Sequence, residues 1–240
     1  MRAFACIAIG VLCAAAHAGP RAEIQVALCE PADRLQGKLA LRPRGAPYET
    51  WLFDDRSLTL LGRGLRLRLR LRGSASGGDL TLKVARQDCA SLPPDAVPRK
   101  EGKCEIDVHG DVADGAVSLS RTLDAATTRE LVMGKGPVAA LLSEAQSRFL
   151  RDVVKAWPLP SDLRALGPIS NRVYSASRYD VDVSTLPDGG QYAEIADKVP
   201  LDRVPRERDR LMQHLARAEV EVCARQEGQA AEKLQRLLAK

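Results

Sequence analysis

The stretch from Gly62 to Gly73 reads GRGLRLRLRLRG, and it constrains the fold more than any other part of the chain. Strand side chains alternate between two faces. Arg66, Arg68, Arg70 and Arg72 therefore share one side, and Leu65, Leu67, Leu69 and Leu71 share the other. Wound into a helix, the same residues would spread both classes around the axis, so the segment reads as a strand. The strand rise sets the arginines about 6.6 Å apart. Four guanidinium groups in line at that spacing suit a polyanion, because each can fork onto two oxygens. A solvated strand face over a leucine core explains the same alternation.

The pattern continues beyond this strand. A Gly/Ser turn from Ser74 to Gly78 leads into DLTLKV, which completes a hairpin signal with Asp79, Thr81 and Lys83 on one face. KCEIDVHG sets Lys103, Glu105, Asp107 and His109 opposite Cys104, Ile106 and Val108. NRVYSASRYDVDV reads as one strand, with Arg172, Tyr174, Arg178, Asp180 and Asp182 opposite Val173, Tyr179, Val181 and Val183. YAEIADKV sets Glu194 and Lys198 opposite Ala193, Ile195, Asp197 and Val199. These strands carry charges of both signs on one face. An exposed face would do so, and so would the inside of a barrel whose apolar outer wall is covered by helices.

Two helical segments are legible. Gly136-Pro137 opens one with Val138, Leu141, Leu142, Ala145, Phe149 and Val153 at helical spacing, and proline suits a first helical turn. A closing amphipathic helix is expected over about 206–238, with Leu211, Leu215, Ala218, Val222, Leu234 and Leu238 on one stripe. Its polar face mixes signs and its apolar face lacks aromatics, which favours packing on the domain over a membrane surface.

The first eighteen residues read as a secretory signal: Arg2, an apolar stretch from Ala3 to Ala16, then Ala16-His17-Ala18 as a cleavage site. That stretch is short for a transmembrane helix, so residues 19–240 are expected as a single periplasmic or secreted domain without a membrane span. Cys6 and Cys13 leave with the signal, while Cys29, Cys89, Cys104 and Cys223 remain. An even number in an exported chain suggests two disulfides, in any of three connectivities. The favoured one joins Cys89 to Cys104 across the proline-rich loop between them, worth roughly 3 kcal/mol by loop entropy, and Cys29 to Cys223. Without a Cys-x-x-Cys pair and with His109 and His214 as the remaining histidines, a Cys/His zinc site is not expected. Nucleic acid is not expected either: 36 basic residues are nearly matched by 31 acidic ones, and aromatics make up 4% of the chain. Neither a Gly-x-Ser-x-Gly elbow nor a phosphate-binding Gly-Lys loop is present.

The segment from Trp51 to Ala85 resembles the CYTH domain, the fold of the triphosphate tunnel metalloenzymes. Phe53 and Asp54 stand at that family's Tyr-Asp positions, Arg68 and Arg70 match its Arg-x-Arg strand, and Lys83 matches the lysine of its Thr-Leu-Lys strand. The resemblance implies an α+β fold over about 22–200: an antiparallel β-barrel forming a tunnel, with flanking helices and the C-terminal amphipathic helix. It implies a phosphorylated small molecule or polyphosphate as ligand, with Arg66, Arg68, Arg70, Lys83 and Arg172 on its phosphate oxygens. Glu23, Glu105, Asp107, Asp182 and Glu194 would hold Mg²⁺ or Mn²⁺.

The departures are localised. The family's first strand reads Glu-x-Glu-x-Lys, and here Glu23 is followed by Gln25 and Ala27. In the late acidic strand Ala196 follows Glu194 where a second carboxylate is expected. An anion site with a weakened metal site follows, either a metal-dependent triphosphatase or a binding or structural protein without turnover. Burying arginine beside carboxylate costs desolvation. Without ligand, the tunnel should therefore be internally paired, arginine to glutamate.

Overall fold

A computed structural model describes residues 21–71, 77–226 and 229–239. The expected signal segment, Arg72 and most of the Ser74–Gly78 turn lie outside the described residues. The strands are β1 (Arg21–Leu28), β2 (Arg42–Pro43), β3 (Tyr48–Asp54), β4 (Leu65–Leu71), β5 (Gly78–Ala85), β6 (Gly102–His109), β7 (Val112–Leu123), β8 (Arg164–Ala176), β9 (Tyr179–Thr185) and β10 (Gln191–Pro200). Nine of them close into a barrel in the order β8-β3-β4-β5-β7-β6-β1-β10-β9, with β9 returning to β8 and β2 paired outside the ring. The barrel is mixed rather than purely antiparallel. Strands β1 and β6 run parallel, Glu23 lying against Asp107, while the ring's other pairings are antiparallel.

The leucines of β4 face outward. Leu65, Leu67 and Leu69 are at most 1% exposed, because Phe149, Leu150, Leu131 and Val138 cover them from outside. That cover is α3 (Ala125–Val132), a 3-10 turn at Val138–Leu141, then α4 (Glu144–Arg148) continuing as a π-helical turn over Phe149–Val153. The expected single helix after Gly136-Pro137 is thus three short pieces. Ser143 and Gln146 form a reciprocal capping box that restarts the helix after the 3-10 turn. The Gln146 amide is fully buried and donates to the carbonyls of Leu80 and Leu119, tying the helix to the wall at 3.0 and 2.9 Å. Gln146→Leu removes the side-chain half of the capping box and both bonds to the wall, and is expected to lower stability by about 1–3 kcal/mol in urea unfolding. An unchanged midpoint would show that the wall does not need this tie.

A second core lies on the opposite flank. Ile24, Val26, Val181 and Ile195 pack outward against Leu35 of α1 (Ala32–Leu39) and Leu211 and Leu215 of α5 (Val204–Arg217). The closing helix is also interrupted. α5 ends at Arg217, and a separate helix α6 (Gln229–Leu238) follows. Between them Glu219 takes a left-handed backbone. Val222 then bridges to Leu28, and the Cys223 amide donates to the Ala27 carbonyl at 3.0 Å. Cys29 and Cys223 form a disulfide, as do Cys89 and Cys104. Tertiary pairing of this segment with β1 overrides a helical stripe that periodicity alone would continue.

Asp54, 1% exposed, places the ladder. Its carboxylate accepts the amides of Asp55, Leu60 and Leu61, and the Asp55 carboxylate accepts those of Ser57 and Thr59. These bonds fold the turn α2 (Thr59–Gly62), from which Gly64, in the left-handed region at φ 71°, feeds β4. No helix among the described residues is long and apolar enough to cross a membrane.

Candidate functional site

With leucine outside, alternation turns the arginines of β4 inward. The barrel interior holds two chambers of about 480 and about 390 Å³, which share Tyr48, Arg70, Asp182 and Glu194 in their walls. Arg66, Arg68, Arg70 and Lys83 line the larger chamber, together with Arg86. One end of that chamber is covered by α6, which brings Lys233 in to face the ladder. Leu234 and Leu237 of α6 pack on Leu166, Ile169 and Tyr192, and the Tyr192 hydroxyl donates to Glu232 at 2.8 Å. The smaller chamber is bounded by Glu23, Arg44, Asp180 and Lys198.

The charges are divided unequally between lysine and arginine. Lys83 is ion-paired with buried Asp107, Lys198 with Glu23 at 3.5 Å, and Lys103 with Glu105. Lys233 stands 3.3 Å from the Ser184 hydroxyl and 5.0 Å from the centre of the Tyr192 ring. The carboxylates acting on it most strongly are Glu194 and Asp182. By contrast, Arg66, Arg68 and Arg70 form no ion pair among the described residues. Arg70 lies 4.5 Å over the Tyr48 ring, its Nε buried and unpartnered. The Tyr48 hydroxyl donates to Asp182 at 2.9 Å, and burial, with that carboxylate's charge, pushes its pKa up to about 12. Burial, reinforced by Arg70, pulls Arg68 down to about 10. The expected arginine–glutamate pairing is therefore not what the ladder does: Lys83, Lys103 and Lys198 take carboxylates, Arg44 pairs with Asp180 at the smaller chamber, and the β4 arginines are left without an ion pair among the described residues.

Two solved structures share this architecture. A candidate adenylyl cyclase from Hippeastrum with a dominant triphosphatase activity superposes with a TM-score of 0.59 at 16% identity, over 89% of this chain and 94% of that one. A candidate adenylate cyclase from Bacillus halodurans superposes with a TM-score of 0.52 at 16% identity, over 91% of this chain and 97% of that one. The fold is CYTH-like. No family model matches the chain, and no curated protein matches it in sequence.

Within this CYTH-type barrel the residues singled out from sequence do not all meet. Arg172 is exposed and lines neither chamber. The inward position of β8 is Asn171, whose amide donates to Thr50 and whose carbonyl accepts from Ser184. The reason is a turn at Ser177, in the left-handed region at φ 58°, which splits the expected single strand into β8 and β9. Arg172 then pairs in register with outward Val183, and Val173 with inward Asp182. Glu105 also lines neither chamber. Of the remaining carboxylates, Asp107 faces the larger chamber and Glu23 the smaller, while Asp182 and Glu194 sit opposite each other on β9 and β10 at the shared wall. Among the described residues no three acidic, His or Cys side chains are grouped to hold a metal ion. The five carboxylates assigned to Mg²⁺ or Mn²⁺ thus do not fit as one resident site. Gln25 lines the larger chamber where the family has its second glutamate.

Lys233, Tyr48 and Asn171 went unrecognised in the sequence. Lys233 lies on a polar helical face of mixed sign, indistinguishable there from a solvated lysine. The pairing of Cys29 with Cys223 was the signal that could have brought that helix to the barrel.

Burial pushes the Glu194 carboxyl up to about 7, with Lys233 opposing and Glu23 and Asp182 reinforcing. A carboxyl raised in the folded state contributes stability that is fully present below its unfolded pKa, near 4.3. That contribution is lost as pH rises through 7. Between pH 5 and pH 8 the protein should therefore lose stability that Glu194→Gln retains, seen as a smaller drop in the variant's urea midpoint. Parallel profiles would place the titration elsewhere.

Proposed function

We propose that the protein binds a phosphorylated polyanion, such as tripolyphosphate, a nucleoside triphosphate or a longer polyphosphate, inside the barrel. One observation carries the reading: three guanidinium groups line one chamber wall and none of them forms an ion pair among the described residues. Unpaired buried cations are costly, and a chain of phosphates presents oxygens at a spacing that a row of arginines can fork onto. Arg66, Arg68 and Arg70 are the principal contacts. Lys83, beside Arg66 on the neighbouring strand, and Lys233, on α6, add charge. Capture without turnover is the form of this reading that the committed carboxylates support. Hydrolysis is the second reading, supported by the triphosphatase activity of the Hippeastrum neighbour. The signal-like first eighteen residues and the two disulfides support action outside the cytoplasm.

Phosphorus NMR of tripolyphosphate with the protein, with and without Mg²⁺, tests the proposal. Broadened lines without new ones are expected from capture, and growth of pyrophosphate and phosphate lines from hydrolysis. Sharp, unchanged lines in both would leave the arginine row without a ligand and overturn the reading.

A further inference from the structure

We propose that the tunnel takes its polyanion without a divalent cation, because three of the five carboxylates that would ligate one are ion-paired with lysines and the other two share their chamber with the Lys233 ammonium. This rests on the polyanion reading and adds to it what the site does not require. Magnesium is usually held by one or two carboxylates together with substrate phosphates and water, in near-octahedral geometry. Here three of the assigned carboxylates are each ion-paired with a lysine, and Asp182 and Glu194 lie side by side. Glu105 stands outside both chambers with Lys103, Asp107 is paired with Lys83, and Glu23 with Lys198. Asp182 accepts the Tyr48 hydroxyl through one oxygen, while its other oxygen is buried without a hydrogen-bond partner. Glu194 and Asp182 face the Lys233 ammonium, which α6 delivers from a part of the chain far from the altered first strand.

The three sequence departures fall on the same places. Gln25 and Ala196 are adjacent in register on β1 and β10, and Ala27 lies opposite Glu194. Those substitutions remove two carboxylates and one ammonium from the face around Glu194. Lys233 supplies one ammonium there, fixed by position rather than by exchange with solvent. Charge neutralisation of the phosphate chain, which a bound cation would share, is left to Arg66, Arg68, Arg70 and Lys233, whose guanidinium and ammonium groups need no ligand cage.

The test is calorimetric titration of the full chain with tripolyphosphate, once in EDTA and once in excess Mg²⁺. Affinity in EDTA equal to or higher than in Mg²⁺ is expected, since Mg²⁺ also competes for the phosphate in solution. Affinity at least tenfold higher in Mg²⁺ would overturn the inference and leave the tunnel as a metal-dependent polyanion site. Heat in neither buffer would overturn the polyanion reading along with it. Lys233→Met separates the contributions. It should lose about tenfold to a hundredfold in EDTA, the worth of one charged contact, and part of that loss should return on adding Mg²⁺ once the ammonium is gone from the chamber that Glu194 and Asp182 line. A variant that binds like the parent in both buffers, with an unchanged circular dichroism spectrum, would remove Lys233 from the site and overturn the inference. Manganese alone, followed by its paramagnetic resonance signal, should stay free in solution with the parent protein, and stoichiometric loss of that signal would count against it.

Discussion

Arg68→Ala is expected to weaken tripolyphosphate binding at least about a hundredfold while leaving the protein as stable as before, or slightly more so. The first half follows from chemistry: a forked guanidinium makes two charge-assisted bonds, each worth about 1.5–3 kcal/mol when desolvated, and 1.4 kcal/mol is tenfold in affinity. The second half follows from the tunnel. Burial and the neighbouring Arg70 pull the Arg68 pKa down to about 10, so its charged form is less favourable in the folded chain than in the unfolded one. At neutral pH the group is charged in both states, and the cost is carried in full until the side chain is removed. A ladder that served only to hold the barrel together predicts the reverse, a lower melting temperature and no affinity to lose. Titration calorimetry and a thermal melt on the same variant decide between them. A melting temperature lower by several degrees with phosphate binding intact would return the arginines to a structural role.

Breaking the Cys29–Cys223 disulfide should have the largest effect on stability. The two cysteines are 194 residues apart, so the bond removes more unfolded-chain entropy than the one between Cys89 and Cys104, 15 apart. In the chain-entropy model the longer loop is worth about 5 kcal/mol, or about 10–20 °C in melting temperature for a domain of this size. Loss of the bond also loosens the segment that leads into α6. There the Ala27 amide donates to the Gln226 side chain at 2.8 Å, and the Cys29 amide to the Glu221 carbonyl at 2.9 Å. Cys29→Ser with Cys223→Ser is therefore expected to lower the melting temperature and the phosphate affinity together, as Lys233 loses its fixed position. A double variant that melts and binds like the parent would show that the noncovalent pairing of Val222 with Leu28 holds α6 by itself. Severing the shorter disulfide instead should cost about 3 kcal/mol and leave affinity unchanged, because its loop touches neither chamber.

Much of the barrel was legible because its walls are two-sided. Leu67, Leu69, Leu80 and Leu82 alternate with charged or polar neighbours without a break, and one face of each strand had to be buried. The β7 strand escaped because VADGAVSLSRTL begins with small and acidic residues that read as loop. It is a strand because β5 and β6 pair along both of its edges. Asp54 was noticed for its family position, yet its role here is to gather three amides at the start of α2, which no spacing announces. Arg172 was misplaced through a single missed turn, since side-chain parity carries only as far as a strand stays unbroken.

Sequence alone determined the arginine row and the leucine wall behind it, since both depend on residue type and local periodicity, whereas the cysteine partners stayed open among three connectivities. Which face of the wall turns inward was a tertiary decision, settled when helices α3 and α4 covered the leucines. So was the break between α5 and α6, imposed by pairing with β1 and a bond between residues 194 apart. The division of partners in the larger chamber, Lys83 to Asp107 and the β4 arginines to no ion pair among the described residues, was also decided only in three dimensions. A charge's partner is set by distance across the barrel, which the order of residues along the chain does not encode.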